Sequence, residues 1–228
     1  MPRRGAGCLA ITLAGATSCL TACGSLSSAP AQPRAVVSAT TRCPTPAAAS
    51  RATRAVNAAK ARYLTESQGV TIHADLRQIA RDNVLLEALR AGNLKVARAE
   101  ANRQLVRHVV RIRVRRGSRL LVDANSTSFD VAGSGMELRD SRGAILGRLE
   151  ITVQDVIGFI KLMHRVNNAE TVVRGARGQV RTLFPAAARL SLPRSGCTQI
   201  GGRTYVVRSL RETSFSGEPL TIWLLTAA

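Results

Sequence analysis

Val109-Val110-Arg111-Ile112-Arg113-Val114-Arg115-Arg116 is the stretch that decides the fold. Apolar and guanidinium side chains alternate with a period of two, which predicts a β-strand with one apolar and one cationic face. Gly117-Ser118 turns the chain into residues 119–124, so a hairpin is expected. Downstream, residues 135–139 read as a third strand, Asp140-Ser141-Arg142-Gly143 as a turn, and residues 144–153 as a fourth strand. Asp155 is placed to cap a helix over 156–166, whose Val156, Phe159, Ile160 and Met163 share one face. Late strands are expected at 171–173, 204–212 and 220–226. Upstream the period is helical: residues 51–65, 74–89 (Leu76, Ile79, Leu86, Leu89) and 94–105, with a stop at Gly92-Asn93. Helices first, then antiparallel hairpins with one internal helix, give an α+β fold.

The N-terminus carries a different signal. Arg3 and Arg4 precede an uncharged run from Ala6 to Leu20, and Leu20-Thr21-Ala22-Cys23 closes it with small residues. This is the order of a secretory leader, too short for a spanning helix. Leu20 to Cys23 resemble the lipobox of bacterial lipoproteins. That resemblance implies cleavage after residue 22, a diacylglyceryl group on Cys23, and a protein held on the extracytoplasmic face of the cell membrane. The other reading is an ordinary leader with Cys23 incidental. Residues 23–50 are rich in Ala, Pro, Ser and Thr without apolar periodicity, so a flexible tether is expected, reaching roughly 25–30 Å from the anchor. Residues 51–228 form one domain by length.

Cys8 and Cys19 fall in the leader, which leaves Cys43 and Cys197 as the remaining thiols once Cys23 is lipidated. Two thiols in an oxidising compartment are expected to pair, although two unpaired thiols remain the alternative. Such a bridge would contribute roughly 4–5 kcal/mol in the chain-entropy account. No CxxC is present, so neither redox catalysis nor a zinc knuckle is indicated.

The formal net charge is +19, and losing Arg3 and Arg4 with the leader lowers it to +17. Of 33 basic residues only Lys60, Lys95 and Lys161 are lysines. The charge favours anionic surfaces such as lipid headgroups or cell-wall polymers. Nucleic acid is not expected as a partner, because export removes it and an aromatic content of 3% offers little base stacking. Enzyme motifs are missing: no Gly-x-Ser-x-Gly elbow, no His-Glu-x-x-His, no phosphate-loop lysine. His73, His108 and His164 are scattered, so no metal, catalytic site or cofactor is expected. Gly133 and Gly135 read as a loop, and Glu150 as an offset to neighbouring arginines rather than the partner of Asp155 in acid–base work.

The order of motifs resembles extracellular Cache-type sensor domains, also called PDC or PAS-like, and in particular the single-module form of actinobacterial proteins. Residues 75–82, the strand 109–114, the hairpin 119–123, then Leu138-Arg139-Asp140, Gly143, Gly147-Arg148 and residues 151–162 carry it, with Pro219 to Leu225 as the closing strand. The resemblance implies a long N-terminal helix on a five-stranded antiparallel sheet, with a pocket on the other face. It also implies a small-metabolite ligand, often a carboxylate, and a linked output module. The sequence shows no kinase, cyclase or chemotaxis module and no spanning segment after the domain. An anchored domain of this kind would bind a ligand and need a membrane-protein partner to pass the event on. The alternative is a basic surface protein that docks to an anionic polymer or membrane partner.

Candidate ligand residues follow. Arg111 and Arg113 share a strand face and could grip a carboxylate through parallel hydrogen bonds, or simply be solvated. Gln154 and Asp155 open a helix where backbone amides can meet an anion, with capping as the alternative role of Asp155. Lys161 and His164 lie one turn apart, and a solvent-facing helix side explains them equally well. Arg148 is a weaker candidate, and Tyr205 could cover a pocket or pack as a core aromatic.

Overall fold

The computed structural model describes residues 45–105, 108–125 and 130–228. The leader, Cys23, Cys43 and almost all of the expected tether lie outside the described residues.

Helix α1, Pro46–Gln68, starts where Thr45 accepts a hydrogen bond from the Ala48 amide (3.2 Å) and proline occupies the first turn. It therefore begins five residues before the expected domain boundary. Ala48, Ala52, Ala55, Ala59 and Tyr63 form its buried stripe. Gly69 breaks the helix: a Cβ there would sit 2.3 Å from the Thr65 carbonyl oxygen. The single helix expected over 74–89 is two, α2 (Val70–Ile79) and α3 (Asn83–Arg90). The correction has a local cause, because Asp82 accepts from the Leu85 amide at 2.8 Å and starts a new helix. Asn93 caps α4, Leu94–Arg103, in the same way.

Strands β1 (Arg111–Arg116), β2 (Arg119–Ala124), β3 (Gly133–Arg139) and β4 (Ile145–Thr152) form an antiparallel sheet in the order β2-β1-β4-β3. Ile112 lies between Ala124 and Ile151, and Val114 between Val122 and Leu149. This apolar face packs with Ile72, Leu76, Ile79, Leu85 and Leu89 of α2 and α3. β3 starts two residues before the strand expected at 135–139, so Gly133, read as part of a loop, belongs to it.

Helix α5, Val156–Asn167, follows, with Asp155 accepting from the Gly158 amide and Asn168 ending it at a left-handed φ of 48°. Then come β5 (Glu170–Gly175), β6 (Val180–Thr182), the single-turn α6 (Pro185–Ala188), β7 (Ser195–Ile200), β8 (Arg203–Thr213) and β9 (Pro219–Ala227). They form a second antiparallel sheet in the order β6-β5-β9-β8-β7. Counted within itself this order is 2-1-5-4-3, and the first sheet repeats it with one strand fewer.

The α+β class with N-terminal helices on PAS-like antiparallel sheets is what the structure shows, but the hairpins do not share one five-stranded sheet. Each sheet buries its own apolar face on its own helices. Residues of α1 and α5 (Ala59, Tyr63, Phe159, Ile160, Met163) cover Val173, Leu210, Ile222 and Leu224 of the second. The opposite face of that sheet, with Val172, Val207, Trp223 and Leu225, is filled by Phe184, Ala187, Leu190 and Leu192 from the α6 segment. Trp223 donates to the Pro193 carbonyl at 3.1 Å and so pins that segment.

Replacing the α5 cap, Asp155→Ala, is expected to lower unfolding free energy by about 1 kcal/mol, read from the midpoint of a denaturant titration.

Candidate functional site

The alternation of β1 sends Arg111, Arg113 and Arg115 to the face opposite Ile112 and Val114. Register places Thr152, Glu150 and Arg148 of β4 beside them, and Gly133, Gly135 and Glu137 of β3 beyond. Ser214 to Gly217, the turn between β8 and β9 of the second sheet, lies over this face. The Gly217 amide donates to the Ser214 carbonyl (2.9 Å), and Gly217 takes a φ of 83° that favours glycine. Just before the turn, Tyr63 of α1 donates its hydroxyl to the Thr213 carbonyl, which ties the helix to the turn's base. Burial pushes the Tyr63 phenol up, with the Glu212 charge adding to it.

Between turn and sheet is a cavity of about 400 Å³. Its lining includes Arg113, Arg115, Arg148, Glu150, Gly133, Gly135 and Phe215, with Ser134, Ser214 and Ser216 adding hydroxyls. The glycines are there because nothing larger fits. A Cβ on residue 133 would meet the Phe215 ring at 2.3 Å, and one on residue 135 would meet the Leu149 carbonyl oxygen at 2.8 Å and the Arg148 guanidinium at 3.2 Å.

Arg111 is buried at the side of this cavity and fully engaged. Its Nε and Nη2 donate to the two oxygens of Asp123 (2.8 and 2.7 Å), and Nη1 donates to Asp130 at 2.8 Å. The Asp123 hydrogen bonds, and then Asp130, raise its proton affinity further in spite of burial. It is a structural ion, not an open ligand contact.

Arg113 is different. Nη2 donates to Glu150 (3.0 Å) and to the Phe215 carbonyl (2.8 Å), and the guanidinium lies 4.1 Å from the Phe215 ring centroid. Its Nε is buried and makes no hydrogen bond. Burial lowers its proton affinity, while Glu150 opposes the shift. Glu150 also has Arg115 at 3.6 Å and Arg148 at 3.8 Å, so one carboxylate serves three guanidinium groups. A carboxylate or similar small anion is what this arrangement can hold, through charge-assisted hydrogen bonds.

Of the residues named from sequence, Arg113 and Arg148 meet at the cavity and Arg111 stands behind it. Gln154 and Asp155 do not join them: Asp155 caps α5, and the Gln154 amide nitrogen donates to the Asp155 carbonyl (3.4 Å). Lys161 is exposed on α5, and His164 lies 3.5 Å from Glu170. Tyr205 packs on Phe184 with centroids 5.4 Å apart, in the filled face of the second sheet. Cys197 is buried on β7. Sequence reasoning missed Arg115, which the same alternation contained, and Phe215, for which no local signal exists. Among the described residues no group of three His, Cys, Asp or Glu side chains is placed to hold a metal ion. No described helix is long and apolar enough to cross a membrane.

The chain superposes on the periplasmic domain of Vibrio cholerae LuxQ with a TM-score of 0.50 at 10% identity, covering 79% of this chain and 100% of that one. Weaker superpositions include the sensory domain of the Campylobacter jejuni chemoreceptor Tlp3 with isoleucine bound (TM-score 0.44, 7% identity, 78% and 92% covered). Another is the Pseudomonas aeruginosa PctB ligand-binding domain with L-Arg (0.36, 10%, 79% and 92%). At such identities the likeness to LuxQ is one of fold alone. No family model matches the chain, and no curated protein does.

Arg111→Ala would strand the buried Asp130 carboxylate and leave the partly buried Asp123 without its partner, and is expected to cost about 3–5 kcal/mol in denaturant unfolding. Arg148→Ala, on a half-exposed side chain, is expected to change stability by less than about 0.5 kcal/mol.

Proposed function

We propose that this protein is a lipid-anchored extracytoplasmic sensor-like domain that binds a small anionic molecule, a carboxylate, in the cavity between the first sheet and the Ser214–Gly217 turn. The observation that carries the reading is Arg113: a buried guanidinium lining that cavity with an unused Nε donor. Leaving such a donor dry is costly, and a carboxylate entering the cavity would satisfy it once the groups that seal it from solvent give way. Arg115 and Arg148 supply charge that Glu150 alone does not balance. The outer face of the second sheet is covered by its own chain, the α6 segment. A bound state would be passed on by a membrane-protein partner.

Anchoring rests on Leu20 to Cys23, as read from the sequence. A Cys43–Cys197 bridge is supported by the position of Cys197, which packs with Ala48 and Ala52 in the first turns of α1, shortly after Cys43 in the chain. Mass spectrometry of the membrane-extracted, unreduced protein should show a diacylglyceryl Cys23 as N-terminus and a Cys43–Cys197 cross-linked peptide. A different N-terminus sinks the anchor, and free thiols sink the bridge.

A thermal-shift screen of the mature protein against small carboxylates and amino acids tests the ligand. One or a few compounds should raise the melting temperature saturably, and Arg148→Ala should weaken their binding at least roughly tenfold without changing the basal melt. General polyanion binding that fades with salt and ignores Arg148→Ala would instead favour docking to an anionic polymer.

A further inference from the structure

We propose that the Ser214–Gly217 turn is a latch over the sheet cavity, displaced by the ligand and tied through Tyr63 to helix α1. The inference rests on the carboxylate reading of that cavity and adds how its occupancy is registered elsewhere in the chain.

One guanidinium edge carries it. Arg111 shows how a carboxylate sits on an arginine of this row: Asp123 takes Nε and Nη2 together, at 2.8 and 2.7 Å. On Arg113 the same edge is half used. Nε is buried with no hydrogen bond, while Nη2 donates to Glu150 at 3.0 Å and to the Phe215 carbonyl at 2.8 Å. A guanidinium Nη2 has two hydrogens, so a ligand that grips Nε and Nη2 together must take one of them back. Glu150 is charged, and the Phe215 carbonyl is neutral. Charge-assisted hydrogen bonds are roughly twice as strong, so the carbonyl is the acceptor that yields.

Giving up that carbonyl frees the turn. Among the described residues, the turn's hydrogen bonds to the groups beneath it are made by Phe215: its carbonyl on Arg113, and its amide on the Asp130 carbonyl at a long 3.4 Å. The ring lies on the Arg113 guanidinium, 4.1 Å from its centroid, and a Cβ on residue 133 would collide with it. The turn is also closed on itself. The Ser214 amide donates to the Glu218 carbonyl (2.7 Å), and the Glu218 amide donates to the Ser214 hydroxyl (3.0 Å), so the turn moves as one piece. At its base the Thr213 carbonyl accepts the Tyr63 hydroxyl. Tyr63 is buried and does not line the cavity. Lifting Phe215 therefore breaks a contact of α1, the described helix nearest Cys23 in sequence.

Isothermal titration of the full mature chain with sodium acetate, succinate and citrate at constant ionic strength tests this, together with fluorine NMR of the chain labelled with meta-fluorotyrosine. The chain has two tyrosines. Tyr205, in the filled face of the second sheet, is the internal control. A carboxylate that binds should shift the Tyr63 resonance and leave that of Tyr205 in place. Phe215→Ala, which removes the ring from Arg113, should tighten binding at least roughly threefold. Tyr63→Phe, which loses only a hydroxyl outside the cavity, should tighten it about two- to tenfold, and this arm stands even if Phe215→Ala folds poorly. Binding that leaves the Tyr63 resonance unmoved, or that has the same affinity in Tyr63→Phe, overturns the latch and leaves the carboxylate reading intact. No binding by any of the three acids overturns both.

Discussion

A row of guanidinium groups on a buried strand face cannot stand without counter-charge, and the rest of this structure is arranged around that constraint. Desolvating an ion costs several kcal/mol unless partners replace its water. Arg111 obtains two carboxylates, one from the neighbouring strand and one from Asp130. Arg113 obtains Glu150 across the ladder, then a carbonyl and an aromatic face from a turn of the other sheet. That last contact requires close approach, which explains two glycines in β3 and a turn that closes on Gly217. Arg111 and Arg113 are both buried, and Arg115, a third exposed, is where the face reaches solvent.

The strand, its hairpin, the Asp155 cap and the α5 face could all be read from residues 109–166, because each depends on neighbours in sequence. The number of sheets could not. Val180–Thr182 is too short to show a period, and Ser195–Ile200 opens with Ser-Gly-Cys, which reads as turn rather than strand. Without those two edges, the late strands appeared to complete the first sheet. The continuous helix expected at 74–89 failed for a smaller reason: apolar spacing runs through Asp82, and only the geometry shows that its carboxylate ends one helix and begins another.

The site was half legible. Alternation alone put Arg111 and Arg113 on one face, and it could not distinguish them. Their difference comes from Asp130 and Phe215, which reach the face from distant parts of the chain. The choice between solvated face and binding face was therefore wrongly posed for Arg111, which is neither. Gln154 and Asp155 illustrate the opposite case, where local chemistry, capping and a backbone contact, accounts for most of what the residues do.

The α6 segment has an energetic consequence for selectivity. Leu190 and Leu192 are each 8% exposed against the outer face of the second sheet. Returning both to water would cost about 3–6 kcal/mol. A molecule seeking that face would forfeit roughly two to four powers of ten in affinity before making its first contact. The two sheets share a topology, yet the outer face of one has been given an occupant by its own chain.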